Sequence, residues 1–128
     1  MTDLREGDSV FLSLEGSGFS TYKKMASWHA ARVPARISMA DAASIPLSYS
    51  MAVLALIHTA RLGKNETVLI HTAAGAMGQA CVVIAQHLGA RIFATAGTPA
   101  KRAFLHKTFG IPQDHIFPSR TPGVRDAI

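Results

Sequence analysis

Cysteine is almost absent from this chain of 128 residues, which carries only Cys81. One cysteine closes no internal disulfide and builds no cysteine zinc cluster. No two of the six histidines stand four residues apart, so no helical metal-ligand pair supplies a zinc site either. Glycine (10) and proline (6) are too few for a collagen or a low-complexity linker. Charged residues are sparse at 16%, hydrophobic ones make up 48% and the mean hydropathy is +0.21, too apolar a balance for disorder. No apolar h-region follows Met1, so no signal peptide is expected. The longest strongly apolar stretch, Met51–Ile57, falls far short of a membrane span. These absences leave the expectation of a cytoplasmic, soluble α/β or α+β protein with no membrane partner. A globular chain of this length buries roughly 65–70% of its unfolded surface, enough for a core.

The excess of basic residues, 13 against 8 acidic, gives a net charge of +5. Only Lys23–Lys24 and Lys101–Arg102 are adjacent, and no aromatic residues interleave with them as a single-strand binder requires. The charge reads as a solvated surface, and no nucleic-acid partner is expected.

The period of the hydrophobic pattern changes along the chain. Ser9–Leu14 reads as a strand closed by Gly16-Ser17-Gly18, and Phe19–Tyr22 as a second. Ser38–Ser44 reads as an N-capped helix with Asp41 in its first turn, interrupted by Pro46. Tyr49–Leu62 predicts a long apolar helix ended by Gly63. From there strand and helix alternate: Thr67–Thr72, a helix over Met77–Leu88 ended by Gly89, a buried strand Arg91–Thr95, a helix from Thr98-Pro99 to about Phe109, and a short strand His115–Phe117. Three strands joined by two helices form half of a doubly wound parallel sheet, where about six strands make the full dinucleotide-binding fold. The expectation is an excerpt of a larger protein, divided into residues 1–48 and 49–128.

The turn after the first buried strand reads Ala73-Ala74-Gly75-Ala76-Met77-Gly78. Against G-x-G-x-x-G, Ala73 replaces the first glycine while Gly75 and Gly78 hold the second and third positions. A glycine at the second position lets backbone approach a pyrophosphate, and one at the third lets the helix pack close to the strand. The helix N-terminus then offers unpaired N–H groups to the phosphates. The alternative is a tight turn with no ligand. An NAD site wants an acidic residue about 20 positions on to take the ribose 2′-hydroxyl. Here that count reaches Thr95, and no Asp or Glu occurs between Glu66 and Asp114. Thr95, Gly97, Thr98, Lys101 and Arg102 stand there instead, and cations with hydroxyls suit a 2′-phosphate, favouring NADPH over NADH. Lys101 and Arg102 as plain helix-solvating charges are the competing reading.

With these residues in place, the chain resembles the zinc-free medium-chain reductases, most closely the enoyl reductase domain of polyketide and fatty acid synthases, of the fungal reducing type. The resemblance rests on Gly7–Val10, Gly18–Tyr22, Ala42–Leu47, Val68–Gly78, Phe93–Thr95 with Lys101-Arg102, and Pro118–Arg120. It implies the end of a GroES-like β-lobe followed by the first half of a Rossmann domain with three parallel strands. It implies NADPH as cofactor, with Gly75, Ala76, Met77 and Gly78 along the pyrophosphate, and Thr95, Lys101 and Arg120 toward the 2′-phosphate. Ala43 and Pro46 would lie at the seam where the nicotinamide enters. The implied reaction is hydride delivery to the β-carbon of an α,β-unsaturated thioester on an acyl carrier protein, then protonation at the α-carbon, within a multidomain synthase. Met51-Ala52 stands where the family carries Thr-Ala, removing a hydroxyl expected near the nicotinamide. The family's proton donors fall outside these residues, so no catalytic side chain is named, and these residues alone are not expected to turn over. A stand-alone quinone oxidoreductase and a non-catalytic nucleotide-binding module are the rival readings.

Other candidates read as structural. Cys81 sits in the apolar run Ala80–Ala85, where packing is the expectation over nucleophilic chemistry. His71 ends the first buried strand beside the glycine turn, where its ring could orient that loop or contact cofactor, and a structural role is the expectation. His58 and Arg61 read as surface or seam residues. No G-x-S-x-G elbow places a serine nucleophile, which sets hydrolase chemistry aside.

Overall fold

The computed structural model describes residues 4–12 and 20–120, and divides into two compact units, Met1–Ser50 and Met51–Ile128. The division falls two residues beyond the seam expected after residue 48.

In the first unit β1 (Val10–Leu12) pairs antiparallel with β2 (Ala30–Arg32), Val10 opposite Arg32 and Leu12 opposite Ala30. The sequence had placed the second strand at Phe19–Tyr22, but Ser20, Thr21 and Tyr22 lie in no strand, and Phe19, like Ser13, Leu14 and the Gly16-Ser17-Gly18 closure, lies outside the described residues. Ala30-Ala31-Arg32 has no β-branched or aromatic residue, so local propensity gave no sign of it. Its register is held from outside the segment. The Arg32 guanidinium donates to Asp8 Oδ2 at 2.6 Å, and Val33 N–H donates to the Ser9 carbonyl at 2.9 Å. Asp8 also accepts the Arg5 N–H at 2.7 Å. That backbone bond, with the Arg32 charge, holds its carboxyl below the ordinary value.

Helix α1 (Met39–Val53) opens where Ser38 caps it, its Oγ accepting the Asp41 N–H at 3.1 Å. It runs straight through Pro46, correcting the expected break: a proline forfeits one rung of the ladder without ending a helix whose other rungs remain. It then widens into a π-helical turn, Leu54–Thr59, in which Ala60 N–H reaches back to the Ala55 carbonyl at 2.9 Å. The helix stops at Arg61, which takes a left-handed φ of 51° while Leu62 N–H closes on the Leu56 carbonyl at 2.8 Å. Gly63, the expected terminator, instead donates its N–H to Glu66 Oε2 at 2.7 Å. Because Pro46 does not break it, the helical run Met39–Thr59 spans 21 residues and is long and apolar enough to cross a membrane by length and composition. The apolar stretch read from sequence was shorter because it stopped at the first polar side chains.

The second unit follows the predicted alternation. Strands β3 (Thr67–Ile70), β4 (Arg91–Ala96) and β5 (Ile116–Pro118) form one parallel sheet in the order β3-β4-β5. Thr67 stands opposite Arg91, and Ala94 opposite Ile116. Between them run α2 (Ala76–His87), packed on β3 and β4, and α3 (Pro99–Phe109), packed on β4 and β5. On central β4, Ile92, Ala94, Thr95 and Ala96 are all buried and Phe93 is half-buried. Small residues of α2, Ala80, Cys81, Val82 and Ala85, bring that helix close, and Leu105 of α3 is fully buried. Gly89 and Gly110 end the two helices with φ of 73° and 66°, conformations open to glycine at little cost. Thr98 caps α3, its Oγ1 accepting the Lys101 N–H at 3.3 Å, with Pro99 at the first helical position.

Candidate functional site

Strand β3 ends at Ile70, two residues before its predicted end, and the chain turns there. Thr72 adopts φ of 53°, a left-handed conformation that costs a β-branched residue on the order of 1–3 kcal/mol. The turn is tied on all sides. Thr72 N–H donates to Thr95 Oγ1 at 3.1 Å, and Ala73 N–H to the Thr95 carbonyl at 2.9 Å. Gly75 N–H returns to the Thr72 carbonyl at 2.9 Å, and Gln79 Nε2 donates to the Ala74 carbonyl at 2.9 Å.

The two glycines of the turn differ in what surrounds them. A Cβ on Gly78 would lie 2.5 Å from the Thr72 carbonyl oxygen and 2.6 and 2.7 Å from Ala73 Cα and C. Backbone fills that space, so Gly78 is where the helix packs against the turn. At Gly75 a Cβ would meet only the Thr72 oxygen and methyl, at 3.3 and 3.8 Å, and φ is −81°. Neither sterics nor conformation demands glycine as strictly there, and the open side faces outward from the turn. Ala73, standing where the pattern wants its first glycine, is fully buried.

Gly75 is the N-cap of α2 and supplies no side-chain cap. The first-turn N–H groups, on Ala76, Met77 and Gly78, have no carbonyl within the helix to bond, and the helix dipole places partial positive charge beside them. Gly75, Ala76, Met77 and Gly78 line a hollow of about 420 Å³ with His71, Thr72 and Cys81.

A second cleft, of about 360 Å³, lies at the end of β4, lined by Thr72, Ala74, Ala96, Gly97, Lys101, Ser119 and Arg120. Lys101 and Arg120 are both exposed there, and among the described residues no acidic one lines it. Arg102 is drawn away: its Nη1 donates to the Ala96 carbonyl at 3.3 Å. Thr72 borders both hollows, joining the helix N-terminus to the cationic cleft.

Thr95 is placed differently from the expectation of a hydroxyl facing a 2′-phosphate. It is fully buried, and its Oγ1 is engaged by Thr72 N–H and by His71 Nδ1 at 3.2 Å. The strand alternation that brings Thr95 to the end of β4 points its side chain at the glycine turn, not at the cleft. Gly97 and Ser119 lie nearest one another instead, a Cβ on Gly97 falling 3.5 Å from Ser119 Oγ. Thr72 and Gln79 were not singled out from the sequence. A positive φ at threonine has no compositional signal, and a glutamine in a helix first turn looks like any solvated residue.

The other candidates are placed as follows. Cys81 is buried, and desolvation pushes its thiol above the ordinary value, against an activated nucleophile. His58 is exposed on the π-helical turn. Among the described residues no three His, Cys, Asp or Glu side chains gather as metal ligands. In the first unit Ala43 and Pro46 line an apolar groove of about 450 Å³ with Phe11, Tyr22, Met25 and Leu47.

A parallel sheet whose first strand turns over a glycine into a bare helix N-terminus, beside a cationic cleft at the end of the next strand, is a Rossmann-like half-sheet. Comparison with known proteins narrows that class. No family model matches the chain. It is 60% identical over its whole length to the highly reducing polyketide synthase Preu5 of Preussia isomera and 56% identical to the highly reducing polyketide synthase ACRTS2 of Alternaria alternata. The crystal structure of CurK enoyl reductase superposes with a TM-score of 0.87 at 40% identity, covering 94% of this chain and 35% of that one. A quinone oxidoreductase from Thermus thermophilus, solved also in complex with NADPH, matches at 31% identity and a TM-score of 0.70 over 75% of this chain and 32% of its own. The chain matches part of an enoyl reductase domain of a polyketide synthase. It spans about 5% of the length of the curated synthases it matches.

Proposed function

We propose that the chain carries the phosphate-binding half of an NADPH-dependent enoyl reductase, which in its parent synthase reduces the α,β-double bond of an acyl thioester on an acyl carrier protein in the cytoplasm. The observation that carries this reading is the adjacency of two anion-suited sites through Thr72: the bare N-terminus of α2 and the cleft with Lys101 and Arg120. Residues Gly75, Ala76, Met77 and Gly78 would take the pyrophosphate through backbone N–H groups of the first turn. Gly75 contributes by leaving space, since its own N–H is spent on Thr72. Lys101 and Arg120 would take the 2′-phosphate, whose charge an arginine fork and an ammonium both suit. Arg102 braces β4 instead. Bound NADPH supplies the hydride; the residues of this chain hold its phosphates and fix its position. The neighbours in the parent are the other domains of the synthase, with neither a membrane nor nucleic acid as partner.

Identity favours the synthase over a stand-alone quinone oxidoreductase, 60% along the whole chain against 31% along three quarters of it. The test is a titration of the chain with NADPH and, separately, NADH, followed by nicotinamide fluorescence. Tighter binding of NADPH, lost in K101A, is the expected result. Equal affinity for both would refute the 2′-phosphate assignment, and no binding by the folded chain would refute the nucleotide reading. Assay of the parent domain with a crotonyl thioester and with a quinone separates the two enzyme readings.

A further inference from the structure

We propose that Thr95 is a positioning residue for the phosphate turn, its buried hydroxyl holding Thr72 in the left-handed conformation from which the turn presents its N–H groups. Three bonds converge on this one residue from two successive positions of the turn and the residue before them. Oγ1 accepts from Thr72 N–H at 3.1 Å, the carbonyl accepts from Ala73 N–H at 2.9 Å, and Oγ1 lies 3.2 Å from His71 Nδ1. Thr95 Oγ1 and His71 Nδ1 pair whichever of the two donates, and no polar atom of the fully buried Thr95 side chain is left unpaired.

The geometry explains why the bond is needed. A β-branched residue at φ of 53° relaxes toward ordinary conformations unless its surroundings hold it. The Thr72 carbonyl lies against Gly78 on one side and accepts Gly75 N–H on the other. Rotation of the Thr72 peptide would therefore move the first turn of α2 and one wall of the cationic cleft together. A hydroxyl is required for this at position 95, where a valine would fill the same volume, leave Thr72 N–H without its partner, and take away the hydroxyl that His71 Nδ1 pairs with.

The inference rests on the nucleotide reading, and its test separates the two. Amide hydrogen exchange of Thr72, Ala73 and Gly75 is measured by NMR on the unliganded chain, with Val82 and Ala85 of α2 as internal controls. NADPH affinity is measured on the same samples. In T95V, exchange at Thr72 rises and NADPH binding weakens, each by about tenfold, the scale set by losing one part-buried hydrogen bond. The control amides stay as in wild type, and T95S, which keeps the hydroxyl, stays within about twofold of wild type on both readouts. T95C keeps the volume with only a weak acceptor and replaces T95V should that variant not fold. Wild-type exchange and wild-type affinity in T95V would overturn the positioning role while leaving the nucleotide reading intact. Equal losses in T95S and T95V would overturn it too, by showing that the methyl packing matters and not the hydroxyl. A folded wild-type chain that binds no NADPH would overturn the nucleotide reading and this inference with it.

Discussion

Replacing Gly78 by alanine puts a methyl group where backbone already stands. The added Cβ would lie 2.5 Å from the Thr72 oxygen, with Ala73 Cα and C at 2.6 and 2.7 Å. None of the three atoms belongs to a side chain that can swing away. Bringing the shortest contact to an ordinary 3.4 Å requires α2 to retreat from the turn by about 0.9 Å. That retreat loosens the packing of Ala80, Cys81, Val82 and Ala85, all buried on the same helix. Overpacking of this kind costs roughly 1–3 kcal/mol or more, while the gain in helix propensity from glycine to alanine returns at most about 1 kcal/mol. The expected net loss is about 2 kcal/mol, a fall in Tm of roughly 8 °C for a chain of this size. Gly75 is the control. Its Cβ would meet the Thr72 oxygen at 3.3 Å in an ordinary backbone conformation, so G75A should change stability by under about 1 kcal/mol. The methyl would instead project into the space proposed for the pyrophosphate and weaken NADPH binding by at least about tenfold, roughly 1.4 kcal/mol. Thermal unfolding followed by circular dichroism, with NADPH titration of both variants, reads the two effects separately. G78A as stable as wild type, or G75A destabilised more than G78A, would refute the division of labour between the two glycines.

Three further outcomes are expected. K101A should reduce NADPH affinity by about tenfold and leave NADH affinity within about twofold, since only the 2′-phosphate distinguishes the two and one charge-assisted contact is worth about 1.5 kcal/mol or more; equal loss for both cofactors would place Lys101 elsewhere. T98A should destabilise α3 by about 1 kcal/mol through loss of the Oγ1 cap on Lys101 N–H, seen as a lower midpoint in urea with an unchanged slope. Burial raises the Cys81 thiol, so the folded state keeps its proton at a pH where the unfolded chain has released it; stability is flat below the unfolded value and falls as pH rises through it. C81A should remove that alkaline loss, and the wild-type thiol should react slowly with a thiol reagent at neutral pH. A rapid reaction in the folded chain would contradict the buried placement.

The alternation of strand and helix in the second unit was legible because each element there carries its own local signal. Thr98-Pro99 caps and starts α3, Gly89 and Gly110 stop their helices, and the β-branched run before Ala73 marks β3. The first unit was harder to read. Its second strand, Ala30–Arg32, has no β propensity and is fixed by pairing with Val10–Leu12 and by the Asp8–Arg32 ion pair, contacts between residues far apart in the chain. Pro46 looked like a stop because proline lowers helix propensity, yet a single missing rung did not outweigh the helix on either side.

At the candidate site, residue type and spacing could be read from the chain alone: two glycines at the spacing of a phosphate turn, no carboxylate between Glu66 and Asp114, and Lys101 with Arg102 just after the second strand, while Arg120 came only from the family resemblance. That much needs no fold, because close backbone approach and charge are properties of single residues. Which polar groups face outward was settled by folding. Thr95, Lys101 and Arg102 read alike as donors for a phosphate; the fold turned Thr95 inward onto Thr72 and His71, bent Arg102 back onto the Ala96 carbonyl and left Lys101 exposed. A hydroxyl or guanidinium takes its role from the partner that burial brings within about 3 Å, and that partner lies elsewhere in the chain.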